Sequence, residues 1–220
     1  MKSIESLHFI THITDDTSLT MQLEAVIQGG VRWIQFRQKH LSDASFLLEA
    51  KEASKICRQH DVKLIINDRA SVAKKINADG VHLGKQDMSP VAARRLLGEN
   101  KIIGCTANTL TDVIALSDAP IDYIGLGPLR FTYTKERLSP ILGFAGYTRI
   151  MQELIKRGIQ IPIIAIGGIE LADIPLLLNT GIHGIALSNA ILGSRDIRAT
   201  AKLFLDSISS FITKQQSISL

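Results

Sequence analysis

Short apolar runs recur along the chain, separated by longer segments that mix polar and apolar residues. The runs are HFITHIT from His8, RWIQFRQ from Arg32, KLIIND from Lys63, GVHLG from Gly80, KIIGCTA from Lys101, DYIGLG from Asp122, IPIIAIGG from Ile161 and GIALSNA from Gly184. Each is rich in Ile, Val or Leu and shows no clean alternation. Continuous runs of this length suit strands buried on both faces, as in a parallel sheet. The segments between them carry a helical period. In the stretch from Ser42 to Gln59, Phe46, Leu47, Ala50, Ala53, Ser54 and Cys57 fall near one face, opposite Glu49, Lys51, Glu52, Lys55 and Arg58, with Ser42 or Asp43 able to cap the start. Further helices are expected from Leu19 to Gln28 before Gly29-Gly30, from Ser89-Pro90, from Tyr147 to Lys156, from Leu171 to Asn179 and from Arg195 to Ile212.

Eight strands alternating with helices predict a single-domain parallel α/β architecture. The absence of an extra edge hairpin favours a closed (β/α)8 TIM barrel over a doubly wound open sheet, at the compact end of that fold's size range. The domain is expected over residues 1–212, with residues 213–220 as a frayed tail. Trp33 and Phe36 read as core residues packed against helices. His82, inside an apolar strand, reads as a packed histidine rather than a ligand.

Composition narrows the function classes. The chain has 220 residues, 45% hydrophobic and 21% charged, as soluble globular proteins do. The net charge of +4 is scattered rather than gathered in a stripe, so no nucleic-acid or membrane partner is expected. Cys57 and Cys105 make no framework and no metal spacing. The start of the chain has no signal-type apolar stretch, and the expected location is cytoplasmic. The expected partners are small molecules, with homo-oligomerisation left open.

In a (β/α)8 barrel the reacting groups sit just after the strands, at the C-terminal rim. Here those positions are polar. Gln35, Arg37 and Lys39 alternate along one face at the end of the second strand. Asn67 and Asp68 end the third, Asp87 follows the fourth, and Thr106, Asn108 and Thr109 close the fifth. Asp68 and Asp87 on neighbouring strands could converge on one Mg2+; helix capping or a solvated loop would equally occupy them. Arg37, Lys39 and Lys135 are cations suited to a diphosphate, or else to ion pairs with the two Asp. Gly167-Gly168 and Ser188-Asn189 end the last two strands, where backbone N–H groups commonly bind phosphate. The segment from Gly127 to Gly146 reads as a long loop carrying Thr132, Thr134 and Lys135.

Taken together, IQFRQK, LIINDR, GVHLGKQD, GPLRFTYTK and IPIIAIGGI resemble, in order and over the whole chain, the motifs of the thiamine phosphate synthase family. The resemblance implies a (β/α)8 enzyme that joins hydroxymethylpyrimidine diphosphate to thiazole phosphate, or its 2-carboxylate, and releases pyrophosphate by a Mg2+-assisted dissociative substitution. By motif, Gln35, Arg37, Lys39, Asn67 and Lys135 would hold the pyrimidine diphosphate, and Asp68 and Asp87 the Mg2+. Thr106 stands where the family has a serine on the leaving pyrophosphate. Thr132, Thr134, Gly168, Ser188 and Asn189 would surround the thiazole phosphate. Lys135, Arg37 and Thr106 would act on the breaking bond. Asn189 replaces a usual Ser, Lys85 a common Gln and Asn108 a common His. Two other readings share the fold: a thiazole tautomerase, associated with a His after the fifth strand where this chain has CTANT, and a non-catalytic phosphate-ligand sensor.

Overall fold

The computed structural model describes residues 2–12, 14, 17–131 and 140–218. Eight parallel strands close into a barrel in sequence order: β1 (Leu7–Ile10), β2 (Trp33–Phe36), β3 (Lys63–Asn67), β4 (Gly80–Leu83), β5 (Ile102–Ala107), β6 (Tyr123–Leu126), β7 (Ile163–Ile166) and β8 (Gly184–Leu187). The pairing Leu7↔Ile185 and Phe9↔Leu187 shuts it. The intervening helices are α1 (Leu19–Gln28), α2 (Asp43–Gln59), α3 (Ala70–Ile76), α4 (Pro90–Leu97), α5 (Leu110–Ser117), α6 (Gly143–Lys156), α7 (Ile174–Asn179), α8 (Asn189–Leu192) and α9 (Ile197–Ile218), with a 3-10 turn at Leu171–Asp173 before α7. The expected architecture is therefore the one observed.

Local signals act as their chemistry requires. Ser18, Ser42 and Ser89 each accept a hydrogen bond from the backbone three residues on, capping α1, α2 and α4. Pro90 stands at the first turn of α4, where its missing N–H costs no helical bond. The last helix continues past Ile212 to Ile218. Thr213, Lys214 and Gln215 carry no apolar signal, yet most are adequate helix formers on an exposed face, and Gln215 Nε2 reaches Asn179 Oδ1 at 3.4 Å.

The sheet separates two apolar layers. Leu7, Phe9, Ile34, Phe36, Leu64, Ile66, Val81, Leu83, Ile103 and Ile124 face the helices. Ile10, Trp33, Ile65, Ile102, Tyr123, Ile164 and Ala186 fill the barrel interior. Phe36 meets Phe46 of α2 with ring centroids 4.8 Å apart, as expected. Trp33 does not pack on helices. It points inward, stacked on His8 at 4.1 Å and edge-on to Tyr123 at 5.5 Å. A run apolar on both faces marks burial without telling the inner face from the outer one. Room for these rings comes from small residues opposite them. A Cβ placed on Gly104 would lie 2.1 Å from Tyr123 Cζ, so only glycine admits the phenol ring there.

Candidate active site at the C-terminal rim of the barrel

Odd-numbered positions that point inward along β2 carry the pattern from Trp33 through Gln35 to Arg37, and the same alternation delivers Asn67, His82, Thr106 and Ser188 to the mouth. Gln35, Asn67 and His82 are buried there, although each is polar.

The carboxylates converge. Asp68 directly follows β3 with φ of 65°, a left-handed conformation that Asp tolerates better than most residues. Its backbone is pinned by a hydrogen bond from its N–H to His82 O at 2.8 Å. Asp87 Oδ2 accepts from Gly84 N at 2.6 Å. The two carboxyl groups meet over Gly84: a Cβ on that glycine would lie 2.9 Å from Asp87 Oδ2 and 3.9 Å from Asp68 Oδ1. Burial, and then the hydrogen bond and like charge of Asp87, push the Asp68 carboxyl up to about 6; Lys39 and Arg37 pull the other way. Lys39 Nζ stands 3.6 Å from Asp68 Oδ2. Arg37 is anchored through its backbone N–H to Thr11 Oγ1 at 2.9 Å. Gln35, Arg37, Lys39, Asn67, Asp68 and Asp87 thus lie at or just beyond the C-terminal ends of three adjacent strands.

Two carboxylates forced together beside two cations form a site that could hold a divalent ion. Among the described residues no cluster of three or more His, Cys, Asp or Glu could hold a metal. A pair rather than a cage fits Mg2+, which retains waters and is commonly bound by one or two carboxylates together with substrate phosphates.

A buried polar chain supports the next strands. Gln35 hydrogen-bonds the Tyr123 hydroxyl, an interaction that opposes the effect of burial on the phenol. Tyr123 Oη lies 2.9 Å from His82 Nδ1, and His82 Nε2 lies 2.9 Å from Thr106 Oγ1. Burial raises the phenol, which keeps its proton. The His82 ring thus links the phenol to the threonine hydroxyl through its two nitrogens. In the tautomer with the proton on Nε2, Thr106 accepts and its hydroxyl hydrogen is left for the mouth. His82 is a packed histidine with its ring bonded at both nitrogens, as expected.

On the far side, Gly167 and Gly168 follow β7 with φ of 94° and 67°. Arg130 fixes this turn: Nη1 donates to Gly168 O at 2.9 Å and the guanidinium pairs in two-pronged fashion with Asp173. A Cβ on Gly168 would lie 2.8 Å from Arg130 Cβ. Ser188 Oγ donates to Ile10 O at 2.7 Å and lies 2.8 Å from His12 Nδ1. Asn189 is exposed at the start of α8. Thr132, Thr134 and Lys135 lie outside the described residues. The base of their loop is tied by Leu142 N to Pro128 O at 3.0 Å and Gly143 N to Leu129 O at 3.1 Å.

Two polar residues near the rim serve the scaffold. Asn108 Nδ2 donates to Gly127 O, bridging β5 and β6. Lys85 Nζ pairs with Asp112 at 2.6 Å, and Asp112 caps α5 in a reciprocal box with Thr109. A groove lined by Ile4, Glu5, Gln160, His183 and Ile212 lies at the opposite end of the barrel, away from these groups.

The family described as thiamine monophosphate synthase matches residues 7–191. A Bacteroides fragilis protein named thiamine-phosphate synthase is 47% identical over 191 residues, covering 87% of this chain and 94% of its own. The chain belongs to the thiamine monophosphate synthase family. A Clostridium novyi protein named thiamine-phosphate synthase is 40% identical, covering 84% of this chain and 88% of its own. A solved structure, thiamine phosphate pyrophosphorylase from Pyrococcus furiosus, superposes with a TM-score of 0.82 at 26% identity and covers 94% of this chain and 96% of its own. The chain is thus an enzyme of the thiamine phosphate synthase kind, a transferase. Among the described residues no helix is long and apolar enough to cross a membrane.

Within this family member, sequence reasoning missed His12, Tyr123 and the Arg130–Asp173 pair. The inward alternation His8, Ile10, His12 was a signal for the first. Tyr123 and Asp173 gave none, because their partners are remote in sequence.

Proposed function

We propose that the rim binds an aminopyrimidine diphosphate on the β2–β5 side and a thiazole phosphate on the β7–β8 side, and joins them into thiamine phosphate with release of pyrophosphate. The observation that carries this reading is the meeting of the Asp68 and Asp87 carboxyl groups over Gly84, with Asp68 raised first by burial and then by Asp87, and with Lys39 and Arg37 on its flank. Such a site favours a cation with a polyanion.

Arg37 and Lys39 bind the diphosphate oxygens, Arg as a fork and Lys as a point charge. Gln35 and Asn67 hold the pyrimidine end. Breaking the C–O bond sends its electron pair to the leaving diphosphate, and the aminopyrimidine delocalises the cation left behind. Thr106, hydrogen-bonded to His82, donates its hydroxyl to the developing charge in the tautomer with the His82 proton on Nε2, and Lys135 of the β6–α6 loop adds a further cation. Gly168, Ser188, Asn189, Thr132 and Thr134 hold the thiazole phosphate so that the ring nitrogen faces the cation. With a carboxylated thiazole, CO2 then leaves. Asp68 and Asp87 would hold Mg2+, which when bound would supply electrostatic stabilisation of the leaving diphosphate. The tautomerase reading lacks support here, since Asn108 stands after β5 and its amide is committed to Gly127 O.

The test is pyrophosphate release from purified protein given pyrimidine diphosphate, thiazole phosphate and Mg2+. Release is expected only with both substrates, and EDTA is expected to abolish it. Thiazole phosphate binding without release would overturn the reading.

A further inference from the structure

His12 has no role in the reaction as set out above. It continues the inward alternation of β1 from His8 and Ile10, at the strand that lies between β8 and β2 in the closed barrel. Its tautomer follows from its neighbours. The single hydroxyl hydrogen of Ser188 goes to Ile10 O, at 2.7 Å. Ser188 Oγ can therefore only accept from His12 Nδ1, at 2.8 Å, and the proton of the ring sits on Nδ1. Burial, and then the charge of Arg37, hold the imidazole below its ordinary value, so it is neutral at neutral pH. Nε2 carries the lone pair, and among the described residues it has no partner.

A half-buried acceptor at the mouth, beside an arginine, suits a group that is anionic and can also bring a proton. A phosphate monoester does both, because its second ionisation lies near pH 6. The ring is fastened to Ser188, on the β8 side. Resting on the functional reading above, we propose that His12 binds the phosphate of the thiazole substrate, with Nε2 sharing a proton with a phosphoryl oxygen. Its bond to Ser188 aims the ring, and Arg37 on the other flank favours the neutral imidazole in the empty site.

Two variants separate binding from scaffolding. In His12→Asn the side-chain amide can still donate to Ser188 but nothing replaces Nε2. In His12→Gln the longer amide reaches the Nε2 position but forfeits the bond to Ser188. Calorimetric titration of thiazole phosphate and of inorganic phosphate, together with steady-state KM values for both substrates, reads the outcome. His12→Asn is expected to weaken thiazole phosphate binding about tenfold, the scale of one hydrogen bond to a charged group. Inorganic phosphate is expected to weaken in parallel, with KM for the pyrimidine diphosphate within about twofold of the wild-type value, and His12→Gln is expected to lose less. Equal losses, a greater loss in His12→Gln, no loss in His12→Asn, loss for thiazole phosphate but not inorganic phosphate, or a change confined to the pyrimidine diphosphate would each overturn the assignment. Wild-type protein that binds thiazole phosphate but makes no product would refute the functional reading alone. Normal product formation with an unaffected His12→Asn would refute the His12 proposal alone.

Discussion

Replacing Asp68 with Asn should stabilise the protein in EDTA while abolishing its activity. The native carboxyl is raised from 3.8 to about 6, by burial first and by Asp87 second. Between those values the native state holds a proton that the unfolded chain has released. Stability therefore falls as pH rises through that window, and the full penalty is present at pH 7. At 1.4 kcal/mol per pKa unit the displacement corresponds to about 3 kcal/mol. The Asp68 side chain is 27% exposed, and solvent screening reduces the figure to about 1–2 kcal/mol. Losing the Lys39 contact subtracts little, because that lysine is half exposed. Asn suits the left-handed backbone at this position, and its amide can donate to Asp87. In a domain of this size each kcal/mol moves Tm by about 2–4 °C, so Asp68→Asn should melt about 2–8 °C higher than wild type in EDTA at pH 7. The advantage should shrink as the pH is lowered toward 4. Calorimetric melts with EDTA and with Mg2+ provide the assay: wild type should gain stability from Mg2+ and Asp68→Asn should not. A lower Tm for the variant in EDTA at pH 7 would show that burial and Asp87 together do not penalise the ionised Asp68, and would refute the argument.

Gly104→Ala should drive a methyl group into the Tyr123 ring and cost about 1–3 kcal/mol; an unchanged Tm would mean that the ring has room the structure does not show. Arg130→Ala should lower stability at neutral pH and loosen the Gly167-Gly168 turn. Arg130 holds the Asp173 carboxyl below its ordinary value, so its contribution is present at neutral pH and fades as pH falls through the depressed native value. Melts from pH 7 to pH 3 should therefore show the two proteins converging, and a gap that stays constant with pH would contradict the pairing.

The order of strands and helices, the polar groups at strand ends and the motifs around Arg37, Asp68, Asp87 and Gly168 were legible in the sequence. Burial on both faces leaves an apolar run, capping leaves Ser before a helix, and chemistry leaves polar residues where a strand stops. What the sequence left undecided is what depends on contacts between remote strands. Trp33 and Phe36 are equally apolar, yet closure of the barrel sends one inward and the other onto α2. The pattern of a strand covered on both sides holds no record of which side is which. Asp68 and Asp87 could each have capped a helix; only the approach of β3 and β4 over Gly84 makes them oppose one another. Asn108 and Lys85 carry the same chemistry as neighbours at the mouth, and only their packing against Gly127 and Asp112 assigns them to the scaffold. The polarity of His12, Tyr123 and His82 was visible from the start. Their protonation and direction were decided in three dimensions, because a hydrogen bond acquires its sense from both of its ends.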